Sequence, residues 1–309
     1  MPVPVPSSRL IPLPGHAPED VVVDRDGWLV TGVDDGRILR VSPATGEVRV
    51  LATTGGRPLG LEVLPDGHIL ICDSPGGLLD LDPASGTLRV LVSSFEGQPL
   101  RFCSNVVAAL DGTLYFSTSS ARYTIREWRH DIVENIPTGR LYRRHADGRV
   151  ESLLDRLYFA NGLALAADQS WIVVAETGAS RLRRLWLSGP KAGQHEIFAE
   201  LPGYPDNLSM SANGLIWVAL PTPPNPLLTK IHKLPLSLRR LVARLPQALQ
   251  PAPARSTWVI ALDGDARVVH DYRQDDGSYS FVTGVCEDQG TIYLGSLAEP
   301  AILAVALPA

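Results

Sequence analysis

One short sequence pattern occurs six times along the chain of 309 residues. It is a turn rich in Asp, Asn and Gly, followed by a strand in which apolar residues alternate with other residues. The copies are DRDGWLVTGV (24–33), LPDGHILICD (64–73), LDGTLYFSTS (110–119), AADQSWIVVA (166–175), SANGLIWVAL (211–220) and EDQGTIYLGS (287–296). Five copies keep a glycine in the turn, and Gln169 replaces it in the fourth. The repetition predicts one structural unit used six times.

Most copies are followed by a second pair of strands around a second turn. GRILRVSPATGEVRVL (36–51) and GGLLDLDPASGTLRVL (76–91) match almost residue for residue. Alternation with a period of two and a turn about every ten residues indicate four-stranded antiparallel sheets. The sequence therefore predicts an all-β fold, a six-bladed β-propeller, in a single domain of residues 1–309. Two sandwich domains are the alternative, but they do not explain six copies of one pattern. We expect residues 3–13 and 301–307 to complete the sixth blade together.

Two insertions interrupt the repeats. Residues 120–137 lie inside the third unit, and residues 221–255 lie inside the fifth. Within the second insertion, residues 226–249 have apolar side chains at helical spacing, interrupted by Pro235 and Pro246, and five basic residues. This pattern predicts a short helical cap packed over the channel mouth, and contact of the basic helix with a membrane surface is the alternative. Candidates for a pocket wall in the first insertion are Tyr123, Arg126 and Trp128.

Composition narrows the possible partners and location. A net charge of −5 and a pI near 5.8 do not suggest nucleic-acid binding. No apolar run is long enough for a spanning helix, and MPVPVPSSRLIPLPG lacks the regions of a secretory signal. Cys72, Cys103 and Cys286 are odd in number and widely spaced, so we expect buried free thiols. The expectation is a cytoplasmic protein that acts on a small-molecule substrate.

Equivalent residues precede the six strands. In a propeller the innermost strands run along the central channel, so the loops that enter them converge at one mouth. The residues at these channel positions are Glu19–Asp20, Leu59–Gly60, Asn105, Asn161, Asp206–Asn207 and Thr283. Carboxylate and amide oxygens without sulfur or imidazole favour calcium over zinc. The alternative is that each Asp or Asn only forms a turn, although Glu is a poor turn former. The pattern predicts a calcium ion at the channel mouth.

Four longer stretches resemble a known family. They are GRPLGLEV (56–63), TGRLYRRHADG (138–148), FANGLALAADQSWIVVAETGASRLRRLWLSGPKAG (159–193) and LPGYPDNLSMSANGLIWVAL (201–220). These stretches resemble the strictosidine synthase-like proteins, a group that includes the adipocyte plasma membrane-associated proteins. The group is distantly similar to the paraoxonases, the gluconolactonases and diisopropylfluorophosphatase. The resemblance covers nearly the whole chain and implies a six-bladed propeller.

The resemblance also implies roles for individual residues. Its paraoxonase relatives hold a catalytic calcium with one Glu, one Asp and three Asn, and the positions that match here are Glu19, Asn105, Asn161, Asp206 and Asn207. By analogy with diisopropylfluorophosphatase, Asp206 is the candidate nucleophile. Thr283 stands where strictosidine synthase has its catalytic Glu, which puts condensation of an amine with an aldehyde in doubt. Leu59 stands where the paraoxonases have a His.

Three hypotheses for function follow. The first is a calcium-dependent hydrolase of lactones, aryl esters or similar small esters, in which calcium polarises the carbonyl and Asp206 acts as nucleophile or base. The second is a binding scaffold in which the calcium is structural. The third is a biosynthetic enzyme of another reaction type, which needs an acid or base near the channel, with Glu176 and Glu299 as candidates.

Overall fold

A computed structural model describes residues 2–246, 250 and 253–308. Within them, six antiparallel sheets of four strands each form the blades of a β-propeller, and one two-stranded hairpin lies outside the blades. The predicted all-β, six-bladed architecture is therefore confirmed.

The first three blades follow the chain in order, from the innermost strand outward. Blade 1 consists of β2 (Val21–Val23), β3 (Leu29–Gly32), β4 (Arg37–Val41) and β5 (Val48–Thr53). Blade 2 consists of β6 (Arg57–Val63), β7 (Ile69–Ser74), β8 (Gly77–Asp82) and β9 (Thr87–Val92). The hairpin of β10 (Ser94–Phe95) and β11 (Gln98–Pro99) comes next. Blade 3 consists of β12 (Cys103–Ala108), β13 (Leu114–Thr118), β14 (Gly139–Arg144) and β15 (Val150–Leu157).

The last three blades use the chain in the same way until the ring closes. Blade 4 consists of β16 (Ala160–Leu165), β17 (Trp171–Glu176), β18 (Arg181–Trp186) and β19 (His195–Glu200). Blade 5 consists of β20 (Leu208–Met210), β21 (Ile216–Ala219), β22 (Thr257–Leu262) and β23 (Val268–Gln274). Blade 6 consists of β24 (Val282–Asp288), β25 (Thr291–Ser296), β26 (Ala301–Ala306) and, as its outermost strand, β1 (Ser8–Pro12). The expected shared sixth blade is present, with Leu10 opposite Leu303.

The repeated turns join the first two strands of each blade. Each links the innermost strand of a blade to the next strand, and each needs a residue with positive φ at its end. Glycine supplies this conformation in five blades, for example at Gly67 with φ 93°. Gln169 adopts it in blade 4 with φ 57°. The one departure from glycine in the sequence pattern thus keeps the same backbone conformation.

The hydrophobic core lies between the blades. Six clusters of buried side chains each join two neighbouring sheets, and the cluster between blades 4 and 5 includes Val173, Leu182, Ile216 and Trp258. Alternate residues of the inner strands supply these contacts, because successive side chains of a strand point to opposite faces. The packing fixes each blade against the next and so fixes the positions of the channel residues.

The two insertions form a helical cap. Residues 120–137 connect β13 to β14 and contain a 3₁₀ turn (Ile125–Glu127) and α1 (Trp128–Glu134). The second insertion contains α2 (Pro226–His232) and α3 (Leu236–Ala243), with Pro235 as the N-cap of α3. Buried Val133, Leu228, Ile231 and Ala243 hold the three helices together. The predicted cap is present, although residues 247–249, 251 and 252 lie outside the described residues. None of the described helices is long and apolar enough to cross a membrane.

All three cysteines are free thiols, as expected, but Cys286 is only partly buried, whereas burial was expected for all three. Cys72 and Cys103 are buried in the core between blades 2 and 3, where the Cys103 thiol donates a hydrogen bond to Cys72 Sγ at 3.0 Å. Burial raises the pKa of Cys72 well above its usual range and raises the pKa of Cys286 to about 12. Because the thiolate is the reactive form, we expect no rapid reaction of the folded protein with Ellman's reagent and three reactive thiols after unfolding without reductant. Only one reactive thiol after unfolding would show instead that Cys72 and Cys103 are cross-linked.

Candidate metal centre

The five predicted channel residues come together at one mouth of the propeller. Glu19, Asp206 and Asn207 lie immediately before inner strands, as expected. The same expectation is wrong for Asn105 and Asn161, which lie within β12 and β16. All five side chains are buried, with exposed fractions of 0 to 7%.

Bulges explain how residues inside strands reach the channel mouth. The pairing of β12 with β13 shifts between Cys103 and Val106, and the pairing of β16 with β17 shifts between Ala160 and Leu163. Corresponding shifts occur in β6 and β24. A bulge adds one residue to a strand and turns a side chain away from the regular pleat. Asn105 and Asn161 each occupy such a bulge.

Glycines beside the channel positions allow neighbouring blades to approach closely. A Cβ atom on Gly60 would lie 2.6 Å from Asn105 Cα, and one on Gly162 would meet the backbone of Asn207 and Leu208. Substitution at either position would force the inner strands apart. The pairs Leu59-Gly60, Asn161-Gly162 and Thr283-Gly284 repeat this arrangement, which is a sequence signal that we did not use.

Hydrogen bonds connect the set across the channel. Asn207 Nδ2 donates to Glu19 Oε1 at 3.1 Å, and Asn105 Nδ2 donates to Asn207 Oδ1 at 3.0 Å. Asn161 Nδ2 donates to Asp206 Oδ1 at 2.6 Å. Residues from blades 1, 3, 4 and 5 therefore form two hydrogen-bonded groups around the channel axis. One group is Glu19, Asn105 and Asn207, and the other is Asn161 and Asp206.

The electrostatics of the site are unfavourable for negative charge. Burial, followed by the charges of Asp206 and Asp20, raises the pKa of Glu19 well above its ordinary value. Burial likewise raises the pKa of Asp206 to about 8. The buried guanidinium of Arg57 partly offsets this effect at Glu19. Glu19 Oε2 is buried and accepts no hydrogen bond from the residues that the structure describes. The site thus concentrates carboxyl groups that one cation would stabilise in their ionised form.

The donor set fits a calcium ion better than a softer metal. It combines two carboxylates with three amide oxygens, each of which keeps a second lone pair beside its present hydrogen bond. Among the described residues, no group of three or more His, Cys, Asp or Glu side chains could hold a metal. A metal here would therefore depend on the amide oxygens of the asparagines, as hard cations allow.

An apolar pocket lies directly above the set. Glu19, Asn161 and Asp206 are at its floor, and the side chains of α1 and α2 contribute to its cap side. Its walls include the apolar side chains Phe102, Ile125, Trp128, Ile132, Phe159, Leu228 and Phe281. Of the three candidates in the first insertion, Trp128 lines this pocket, whereas Tyr123 bonds Glu134 at 2.6 Å and Arg126 is exposed. We did not identify the phenylalanines from sequence, although Phe102, Phe159 and Phe281 each stand two or three residues before a channel position.

Four other residues that were considered in the hypotheses for function lie in environments that differ from the channel set. The Thr283 hydroxyl donates to the backbone oxygen of Glu19 at 2.6 Å, which joins blade 6 to blade 1. Leu59 packs with Phe102 beneath the pocket wall. Glu176 is buried and ion-paired with Arg181 and Arg183. Glu299 pairs with Arg255 at 2.9 Å and accepts a hydrogen bond from Ser280. Neither glutamate is among the described residues that line the pocket.

The fold and the site define a class: six-bladed propellers with acid and amide side chains at the mouth of the channel. A solved gluconolactonase of Xanthomonas campestris superposes with a TM-score of 0.71 at 17% identity, over 97% of this chain and 89% of its own. Regucalcin of Agrobacterium tumefaciens, described as a calcium-binding protein, superposes with a TM-score of 0.69 at 16% identity. The superposition covers 99% of this chain and 96% of regucalcin. Identities this low show a shared fold alone.

Sequence comparison defines the family. A family model for strictosidine synthase matches residues 105–190, and a model for the strictosidine synthase-like N-terminal region matches residues 7–41. Protein STRICTOSIDINE SYNTHASE-LIKE 10 of Arabidopsis thaliana is 34% identical over an alignment of 325 positions, which covers 96% of this chain and 87% of that protein. The adipocyte plasma membrane-associated protein of Homo sapiens is 30% identical, and the alignment covers 91% of this chain and 73% of that protein. The chain belongs to the strictosidine synthase-like family, as its sequence motifs predicted.

Proposed function

We propose that the channel set binds one calcium ion and that the protein is a calcium-dependent hydrolase of lactones, aryl esters or similar small esters. The proposed ligands are Glu19, Asn105, Asn161, Asp206 and Asn207. The observation that carries the proposal is the convergence of these buried side chains beneath an apolar pocket. In the described part of the chain, Glu19 Oε2 has no hydrogen-bond partner.

Calcium, when bound, would polarise the carbonyl group of an ester and stabilise the negative charge that develops on its oxygen. Asp206 has the properties required to attack the carbonyl carbon or to activate the water that attacks it. Its carboxyl group lines the pocket floor, and Asn161 Nδ2 fixes one of its oxygens. As a nucleophile, Asp206 would bond to the carbonyl carbon while the alcohol oxygen leaves and takes a proton from water. Water would then hydrolyse the acyl-aspartate anhydride, which releases the acid and restores the carboxylate. As a base, it would instead take a proton from the water that attacks this carbon.

The pocket walls indicate the kind of ester. Phe102, Phe159 and Phe281 supply aromatic surface near the floor, and Trp128 and Leu228 continue the apolar lining toward the cap. Such a lining binds acyl or aryl groups by removing apolar surface from water. It also reduces access of bulk water to the floor, which strengthens electrostatic interactions there. We therefore favour lactones and aryl esters with apolar substituents over sugar lactones.

A non-catalytic scaffold is the second candidate. The hydrogen bonds from Asn105 to Asn207 and from Asn207 to Glu19 tie three blades together, and a calcium ion bound there would pin them. This arrangement favours a structural metal as much as a catalytic one. The biosynthetic hypothesis has less support, because Glu176 and Glu299 are engaged in ion pairs away from the pocket lining.

The test is hydrolysis of a panel of γ- and δ-lactones, phenyl acetate and a longer-chain phenyl ester, in calcium and after chelation. We expect turnover that disappears on chelation and returns when calcium is restored, with the longer acyl chain preferred. Thermal melting is recorded on the same samples. A lower melting temperature on chelation, with no turnover in either buffer, would favour the scaffold. No effect of chelation on either quantity would exclude a calcium site.

A further inference from the structure

Helix α3 turns its largest apolar side chains toward solvent. Leu238 is 45% exposed and Leu241 is 62% exposed, and Leu234 and Leu245 beside the helix ends are exposed as well. Leu238 and Leu241 are three residues apart within α3 and share one face of the helix, while Leu234 and Leu245 lie just outside its two ends. We call these four residues the leucine face. Another side of α3 packs through buried Ala243 and partly buried Val242. The propeller therefore leaves the leucine face uncovered.

The insertion that carries the leucine face is rich in basic side chains. Residues 221–255 contain two Lys, four Arg and no Asp or Glu, although the whole chain has a net charge of −5. Lys230, Lys233 and Arg244 are exposed. In the part of the chain that the structure describes, no carboxylate lies within ion-pair distance of these three cations, whereas Arg240 approaches Glu134 at 3.6 Å. The cap thus presents uncompensated positive charge next to exposed leucines.

The composition of this surface favours lipid over a protein partner. The centres of protein interfaces are enriched in aromatic residues, methionine and arginine. Residues 221–255 contain no Phe, Trp, Tyr or Met, and two of their four arginines, Arg239 and Arg240, are directed at Glu134. Helices that lie at a lipid surface combine an aliphatic face with flanking Lys and Arg, which attract anionic headgroups. The leucine face has this combination, and its four side chains do not line the pocket. The positive charge complements an anionic bilayer and not a neutral one.

We infer that the cap docks this protein peripherally on an anionic lipid surface, with the leucine face inserted among the acyl chains and Lys230, Lys233 and Arg244 at the headgroups. The inference is independent of whether the channel site is catalytic. The inner side of the same cap lines the pocket through Leu228 of α2 and Trp128 of α1. Docking would therefore hold the apolar pocket close to the bilayer.

The test uses the full chain and vesicles, with bound protein measured by co-sedimentation. Vesicles of phosphatidylcholine and phosphatidylglycerol in equal parts are compared with vesicles of phosphatidylcholine alone. We expect binding to the anionic vesicles only, weakening with added salt. The double variant Leu238→Gln/Leu241→Gln is expected to bind at least about tenfold more weakly. The triple variant Lys230→Gln/Lys233→Gln/Arg244→Gln should lose the preference for anionic vesicles.

The matched control removes two exposed apolar side chains elsewhere. Leu110 is 86% exposed in the turn of blade 3 and Val90 is 62% exposed on β9, so Leu110→Gln/Val90→Gln should bind vesicles like the parent protein. Equal loss in this control, unchanged binding of the Leu238/Leu241 variant, or no binding of the parent protein to anionic vesicles would each overturn the inference. So would a dimer in solution, detected by light scattering, that the Leu238/Leu241 variant converts to a monomer, because the leucine face would then be covered by a second copy of the chain.

Discussion

The variant Asp206→Asn is expected to lower kcat/KM for the best ester of the panel by about 10³-fold or more. The amide keeps the size of the carboxyl group and one oxygen that can bind a cation. It can neither attack a carbonyl carbon nor accept a proton from water at neutral pH. The hydrogen-bond partner Asn161 can still be satisfied after rotation of the new amide. We therefore expect a folded, calcium-responsive protein that is almost inactive, measured by initial rates and a thermal melt.

A second buried aspartate provides the matched control. Asp80 on β8 is 6% exposed, close to the 7% of Asp206, and it bonds His68 Nδ1 at 2.8 Å, away from the pocket. Asp80→Asn should lower stability through loss of its partners and leave kcat unchanged. If Asp206→Asn instead retains activity within about threefold of the parent protein, Asp206 is a ligand or a structural group and not the nucleophile or base.

Removal of the proposed calcium ion is expected to lower the melting temperature by about 4 °C. A ligand at 100 times its Kd stabilises the folded state by about 2.7 kcal/mol, and each kcal/mol shifts the melting temperature of a protein of this size by about 1.5 °C. Glu19→Gln should abolish most of this shift. In the absence of calcium the variant should melt above the parent protein, because it removes a desolvated carboxyl group that lies near two others.

Glu176 supplies the comparison for this experiment. It is also a buried glutamate, but Arg181 and Arg183 already compensate its charge. Glu176→Gln should lower the melting temperature in both buffers, since it leaves two partly buried arginines without their partner, and should keep the full calcium shift. A full shift in Glu19→Gln would show that any calcium binds elsewhere. Differential scanning calorimetry measures the melting temperatures of the Glu19→Gln and Glu176→Gln variants, each with and without chelator.

The sequence was sufficient to predict the propeller because its pattern is periodic. The six turns and the alternating strands specify blade number, blade size and the order of the inner strands. The convergence of Glu19, Asn105, Asn161, Asp206 and Asn207 then follows from the symmetry of the fold. Ring closure by the two ends of the chain followed from the same reasoning.

Other features depend on local geometry that periodicity does not encode. The bulges at Asn105 and Asn161 arise from the way two strands pair, and a sequence pattern shows only one strand at a time. The pocket wall arises from insertions whose path is set by contacts such as Val133 with α2 and α3. The sequence shows that Arg181 and Arg183 alternate along β18, but only the structure shows that both form ion pairs with Glu176.

Closure of blade 6 has a consequence for the order of assembly. Strand β1 pairs with β26, and the Thr283 hydroxyl reaches Glu19 across 264 positions of the chain. During synthesis, blades 1 to 5 can pack as they emerge, but residue 19 cannot meet its neighbours from blade 6 until almost the whole polypeptide is available. Contacts so distant in sequence form late and slowly. We therefore expect the position of Glu19 in the channel site to be fixed only when blades 6 and 1 join, late in folding.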